Sequence, residues 1–277
     1  MVDAYFASPK LAELKPSTKR EYVRYLREFQ TELGEMHPDG LKPFHLARLR
    51  DNMAETPAKA NSTLKAIGAL YRWARETGWA TQANPASGLS KLEIGEHQPW
   101  PQEALAAFPV ALTGPLARCC AMGLATGQRL GDVLALHRRD LQGNGIWVTQ
   151  QKTNKRLLIP LHSAVRDLVL AAPGPICPKS DGEPFTVDQF HAAWGRARAK
   201  LAKDHPLQGV VFHGLRKNAT VLLLEAGCSE AEVASITGMS LAMVVHYGKG
   251  ARQQVLAREA MRKLELYPGT AQTEPSD

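Results

Sequence analysis

The chain has 277 residues, 44% hydrophobic and 22% charged, with a formal net charge of +7 and a pI near 9.3. That is enough apolar material for two ordinary cores without disulfides, and the basic balance favours a polyanionic partner. Cys119, Cys120, Cys177 and Cys228 form no CxxC pair and have no histidine at zinc-finger spacing, which argues against a metal site; no basic leader and no apolar run approaching the roughly 20 residues that cross a bilayer is present, so no membrane partner and a cytoplasmic location are expected.

Thr18 and Glu21 read as a capping box opening a helix with Tyr22, Leu26, Phe29 and Leu33 on one face and Gly34 as its stop. A second helix is expected from near Pro43, with Leu46, Leu49 and Met53 inward, and a third from about Lys59 through Leu64, Ile67 and Tyr71 to Gly78. Together they predict a small all-α unit over 1–92. The Asn84-Pro85 breaker and the polar, proline-punctuated run from Glu93 to Pro101 predict a linker at 93–101, with a second domain over 102–277.

In the second domain, Gly145 to Gln150 and Arg156 to Leu161 are β-rich runs around Lys152-Thr-Asn-Lys155, a hairpin signal with Asn154 suited to a positive φ. Helices are expected at 163–171, 187–203 and 214–226, the last stopped by Gly227. Ser229 and Glu232 form another capping box, Gly238 is a C-terminal stop, and Ser240 caps a helix that carries Tyr247. A final helix from about Ala251 to Leu266 offers Val255, Met261 and Leu264 as an apolar seam, and the last ten or so residues read as disordered. The fold class expected is mainly α with a small β-hairpin or sheet, in two domains.

Several short motifs carry candidate chemistry. Thr126-Gly-Gln-Arg-Leu-Gly-Asp132 puts Arg129 just after a glycine break at a helix start, where a guanidinium either pairs with a carboxylate or meets an anion; Asp132, one turn on, is placed to orient it. Lys152 stands at the hairpin tip as an edge-strand lysine or as a mobile ammonium able to protonate a leaving alkoxide, with Lys155 as the alternative holder of that role. His213-Gly-Leu-Arg216 sets an imidazole and a guanidinium one turn apart, so both can face one phosphate. Tyr247 is a phenol nucleophile in waiting, although Tyr22, Tyr25, Tyr71 and Tyr267 are equal claimants when taken singly. Forming a phenolate at pH 7 costs roughly 4 kcal/mol unless neighbours assist, so a tyrosine nucleophile needs cations and proton carriers around it. Phenol and cations together are suited to attack on a phosphodiester.

The order of these motifs, TGQR-x-GD, a QxKT hairpin, HxLR and a helix-borne tyrosine with a closing helix, resembles the tyrosine recombinase or phage integrase family over almost the whole chain. The resemblance implies an N-terminal helical core-binding domain and a mixed α/β catalytic domain that close as a clamp on double-stranded DNA. It implies that Arg129 and Arg216 bind phosphate, Lys152 protonates the 5′-oxygen, His213 is the acid/base histidine and Tyr247 forms a 3′-phosphotyrosyl link. No metal or other cofactor is implied. A homotetramer on paired DNA sites is, with accessory DNA-bending proteins as further partners and the last helix docking on a neighbouring subunit. The chain starts almost directly at the core-binding helices, so no separate arm-binding module is expected.

Two features depart from the family pattern. Gly238-Met239 stands where the family usually has Gly-His or a tryptophan, and the stretch to Tyr247 is a residue shorter than is common. Methionine donates no hydrogen bond to phosphate, and losing one preorganised donor typically costs about 2.7 to 4 kcal/mol, which predicts a slow enzyme rather than a dead one. Gly214 replaces an acidic residue after the motif histidine, from which looser support of His213 is expected. The competing readings are a recombinase-fold DNA-binding protein with impaired strand exchange and a type IB topoisomerase-like relaxing activity.

Overall fold

The computed structural model describes residues 1–172 and 174–267, with only the backbone at 251, 252, 254 and 255. The tail read as disordered is therefore outside the described residues beyond 267, as is the side chain of Val255. The chain divides into two compact units, Met1–Glu96 and His97–Asp277.

The first unit is helical: α1 (Val2–Phe6), α2 (Pro9–Ala12), α3 (Pro16–Leu33), α4 (Pro43–Asp51) and α5 (Pro57–Glu76). All but α1 open on a proline, whose missing N–H is no loss at a helix start and whose fixed φ is already helical. This corrects the expected start of α3. The helix begins at Pro16 with Lys15 as its N-cap, so Thr18 and Glu21 are already inside it and form no capping box. Leu26, Phe29, Leu46, Ile67, Leu70 and Tyr71 fill the core, each large apolar side chain contributing about 1.5–3 kcal/mol on burial. The Tyr71 hydroxyl donates to the Pro38 carbonyl at 2.8 Å, and the Tyr5 ring tilts against Trp73 at 5.3 Å.

The second unit runs α6 (Gln102–Ala111), α7 (Gly114–Thr126), α8 (Leu130–Leu134), β1 (Leu141–Gln142), β2 (Gly145–Thr149), β3 (Arg156–Pro160), α9 (Ser163–Leu170), α10 (Val187–Ala199), α11 (Phe212–Glu225), α12 (Glu230–Thr237) and α13 (Leu241–Glu265). The antiparallel sheet has the order β1-β2-β3, with Ile146 opposite Ile159 and Thr149 opposite Arg156. Ile146, Val148 and Ile159 are buried on one face, while the Arg156 guanidinium lies 4.3 Å from the Trp147 ring centroid. Asn154 takes φ 56° in the turn, as its side chain allows. The two-residue β1 was not expected, because so short a strand leaves no alternation to read.

Helix α11 is the axis of this unit, packed against α7 on one side and α13 on another. A Cβ at Gly123 of α7 would fall 2.5 Å from Phe212 Cζ, so the two helices meet where one side chain is missing. Segment 97–101, read as linker, belongs to this unit, with Trp100 only 2% exposed in its core. Helix α10 stops at Ala199 rather than 203. The helix carrying Tyr247 and the expected closing helix are one continuous α13, since Gly248 and Gly250 each cost about 1 kcal/mol in helix propensity without ending the hydrogen-bond ladder. Among the described residues no helix is long and apolar enough to cross a membrane.

Candidate active site

A buried polar network assembles the site from four distant segments. Helix α7 ends at Gly127, which adopts the left-handed conformation at φ 63°, and the chain then turns so that Arg129 becomes the extended N-cap residue of α8. Between them Gln128 is fully buried, its Nε2 donating to the carbonyls of Thr126 and Ile236 at 3.0 Å each. Gln150, where β2 enters the hairpin turn, donates from Nε2 to Gln128 Oε1 at 2.7 Å and to the Thr237 carbonyl at 2.9 Å. Arg216 Nη1 donates to the carbonyls of Gly127 at 2.6 Å and Thr237 at 3.0 Å. The α7–α8 turn, the hairpin and the end of α12 are thus locked together, since leaving any of these buried groups unpaired costs about 1–3 kcal/mol. Sequence reasoning missed Gln128, Gln150 and Thr237. Gln128 and Gln150 are letters of the TGQR and QxKT motifs themselves, given no role there, and Thr237 directly precedes Gly238-Met239.

Arg129 points toward Asp132 one turn along, Nη1 to Oδ2 at 3.8 Å, with Asp132 3% exposed. Both atoms are buried, and neither makes a hydrogen bond among the described residues. The other carboxylate oxygen of Asp132 accepts from the Gln151 backbone N–H at 2.8 Å. One carboxylate therefore faces the Arg129 guanidinium and pins the hairpin at the residue before Lys152. Lys152 itself is exposed on the turn, while Lys155 Nζ donates to the Gly238 carbonyl at 3.3 Å between α12 and α13.

His213 and Arg216 lie three residues apart at the start of α11 and so share a face. Arg216 is 3% exposed; burial first, and then the Arg129 guanidinium, pull it down to about 10, against the opposing influence of Asp132 and Tyr247. His213 is pushed down to about 4, first by burial and then by His97, Arg216, Arg129 and Lys217. The His97 ring sits 5.4 Å from it.

Gly214, in place of the family's acidic residue, makes room for a neighbouring segment. A Cβ there would lie 2.5 Å from Trp100 Cδ1 and 2.6 Å from the Gln98 carbonyl oxygen, so the missing side chain admits segment 97–101 onto the helix start. That segment is held by the Trp100 N–H donating to Asn218 Oδ1 at 2.8 Å, Asn218 Nδ2 returning to the Trp100 carbonyl at 2.9 Å, and Trp100 Nε1 donating to the Val211 carbonyl at 2.7 Å.

Tyr247 rises from α13 against a small apolar cluster of Leu224, Val233, Met239 and Val244. The next residue, Gly248, is buried against Leu224, which lets α13 approach α11 closely. Lys217, buried beside Arg216, places its Nζ 4.5 Å from the Tyr247 ring centroid. Sequence reasoning missed this lysine, although it directly follows a motif arginine. Met239 is buried, and its sulfur accepts from Thr220 Oγ1 at 3.7 Å, so it gives the site no donor.

The structure thus brings together Arg129, Asp132, His213, Arg216 and Tyr247, with Lys152 and Lys155 on the adjoining hairpin. The rival tyrosines are spent elsewhere. Tyr71 is fully buried in the first unit, its phenol pushed up to about 12 chiefly by burial, and Tyr25 accepts a hydrogen bond from Arg24. Tyr22 packs on the same core and Tyr267 is exposed beyond the end of α13.

A model of the phage integrase family matches residues 115–254, a span that contains every candidate named above in the second unit from Arg129 to Tyr247. The integrase of Enterobacteria phage P21 is 26% identical over 157 residues, which is 54% of this chain but 41% of that relative. The chain thus matches less than half the length of this curated relative. Among solved structures, a lambda integrase dimer bound to a COC′ core site is similar with a TM-score of 0.76 at 19% identity, covering 89% of this chain and 75% of the other. A lambda integrase tetramer bound to a Holliday junction gives 0.74 at 18% identity over 86% and 76%. The Tn1549 transposon integrase in complex with transposon right end DNA gives 0.72 at 17% over 88% and 95%. At these identities the structural likeness is one of fold.

Proposed function

The chain belongs to the phage integrase family, and from that membership we propose that it is a site-specific DNA recombinase that cuts and rejoins duplex DNA through a 3′-phosphotyrosyl intermediate. The observation that carries the reading is a pair of guanidinium groups held beside the His213 imidazole: Arg129 stands 3.8 Å from Asp132, and Arg216, 3% exposed, is fixed by two backbone carbonyls. Two guanidinium groups converging beside one imidazole favour an anionic ligand, and the phenol of Tyr247 acts on the same Arg216.

In the reaction, Tyr247 Oη attacks the scissile phosphorus, forming a P–O bond to tyrosine and breaking the bond to the 5′-oxygen. Arg129 and Arg216 neutralise the charge gathering on the non-bridging oxygens. Arg216 spends Nη1 on two carbonyls, which fixes the plane of the guanidinium and leaves its remaining N–H groups for phosphate. His213, neutral near pH 7, takes the phenol proton, and Lys152 on the exposed turn gives a proton to the departing 5′-oxygen. The phosphotyrosyl bond conserves the energy needed for rejoining, so attack by a 5′-hydroxyl reverses the sequence of transfers.

The helical unit within 1–92 serves in this reading as the core-binding domain and the second unit as the catalytic domain, with duplex DNA as partner and a homotetramer on paired sites as the working assembly. Similar proteins captured as a dimer on a core site and a tetramer on a Holliday junction support that assembly. Met239, buried and without a donor, favours a second reading in which DNA is bound but strand cleavage is slow or lost.

Covalent trapping separates the two. A pool of genomic duplexes from the source cell, randomly nicked so that a cleaved 5′ fragment diffuses away, is expected to leave a protein–DNA adduct on a denaturing gel, absent for Tyr247→Phe. Binding without any adduct would retire the recombinase in favour of the second reading.

A further inference from the structure

Lys217 has no part in the scheme above, yet it is 7% exposed, a lysine held inside the second unit. It directly follows Arg216 on α11, its Nζ stands 4.5 Å from the centroid of the Tyr247 ring on α13, and its charge is felt by His213. It therefore links the helix that carries the anion-binding groups to the helix that carries the phenol. The apolar cluster of Leu224, Val233, Met239 and Val244 packs against Tyr247 without polar direction, so it cushions the ring but does not select how the hydroxyl faces Arg216.

We propose that Lys217 is a positioning residue for Tyr247, its ammonium on the ring face holding the nucleophile of the same chain against the groups on α11; this rests on Tyr247 being the nucleophile. The interaction also has the right sign for catalysis. A cation over a ring is attracted by its electron density, which increases as the phenol oxygen gives up its proton and becomes an anion. The contact therefore strengthens on the way to the transition state, and an interaction stronger there than in the ground state accelerates the step. Lysine and arginine both satisfy an aromatic face, whereas an apolar side chain of the same length only fills the space.

The test uses the nicked genomic pool, with Lys217→Met and Lys217→Arg compared with wild type for non-covalent affinity and for the rate of adduct formation. Lys217→Met is expected to lower the adduct rate about tenfold with affinity for the pool unchanged, and Lys217→Arg to recover most of that rate. If Lys217→Met fails to fold, Lys217→Gln is held to the same expectation. An adduct rate in the neutral variant equal to wild type, or equal losses of rate and affinity in the neutral and arginine variants alike, would overturn the inference while leaving the recombinase reading intact. No adduct from wild type would instead bring down that reading, and this inference with it.

Discussion

Arg129 and Arg216 look alike in the sequence but have unlike surroundings, which separates their roles in stability from their roles in chemistry. Arg216 supports two buried carbonyls, so Arg216→Ala strips both of a donor and is expected to cost about 3 kcal/mol in a urea titration. Arg129 makes no hydrogen bond from Nη1, which stands 3.8 Å from Asp132 Oδ2, so Arg129→Ala is expected to cost less than Arg216→Ala, the loss coming from the buried carboxylate it leaves behind. Both variants should lose the adduct; equal destabilisation by the two would contradict the network described here. His213 gives the pH signature. Its folded value of about 4 lies below the ordinary value of 6.5, so the unfolded chain binds the proton first as pH falls. His213 therefore costs no stability above about 6.5 and an increasing amount from there down to about 4, a decline that His213→Gln should flatten in urea midpoints measured across that window. A bound phosphate offsets the Arg129 and Arg216 charges that act on His213, so DNA binding near pH 5.5 should take up a proton that the variant does not. At this scale the charged motif residues were legible because their order is distinctive. Gln128 and Gln150 were not, because a buried amide and a surface amide are the same letter.

Seating of α13 on α11 decides where the phenol stands, and Gly248 is the residue that permits it. The atom that an added Cβ would meet is the tip of the Leu224 side chain, which can turn away, so Gly248→Ala should be tolerated and gain something from helix propensity. Gly248→Leu has no such escape and is expected to cost about 1–3 kcal/mol while slowing adduct formation, read from thermal unfolding and the denaturing gel. Wild-type stability in Gly248→Leu would place α13 elsewhere. Element starts with a polar cap were legible: Ser229 exchanges bonds with Glu232 and Ser240 accepts from the Met243 N–H, as their spacing implied. The start of α3 differs from the expected one because Pro16, two residues before Thr18, already meets the needs of a helix start. The continuity of α13 was missed because glycine marks a weak helix as readily as a helix end, and only the packing against Leu224 distinguishes them.

The chain as a whole carries +7, and no single segment holds it as a tail, so any surface for a polyanion must be built by folding. Binding to a fluorescent duplex is accordingly expected to weaken steeply with salt, by about a thousandfold or more between 50 and 200 mM if six or more phosphates are contacted, and a flat response would argue against DNA as the substrate. The mainly helical class and the small sheet were legible from periodicity and one hairpin signal; that Trp100 belongs to a core was not, because proline on either side gave its segment the look of a linker. The central claim is that one phenol among several is the nucleophile. Digesting the trapped adduct with nuclease and protease and locating the nucleotide by tandem mass spectrometry tests it most directly: the account predicts a phosphonucleotide on Tyr247, and one on Tyr22, Tyr25, Tyr71, Tyr267 or any other residue would contradict it.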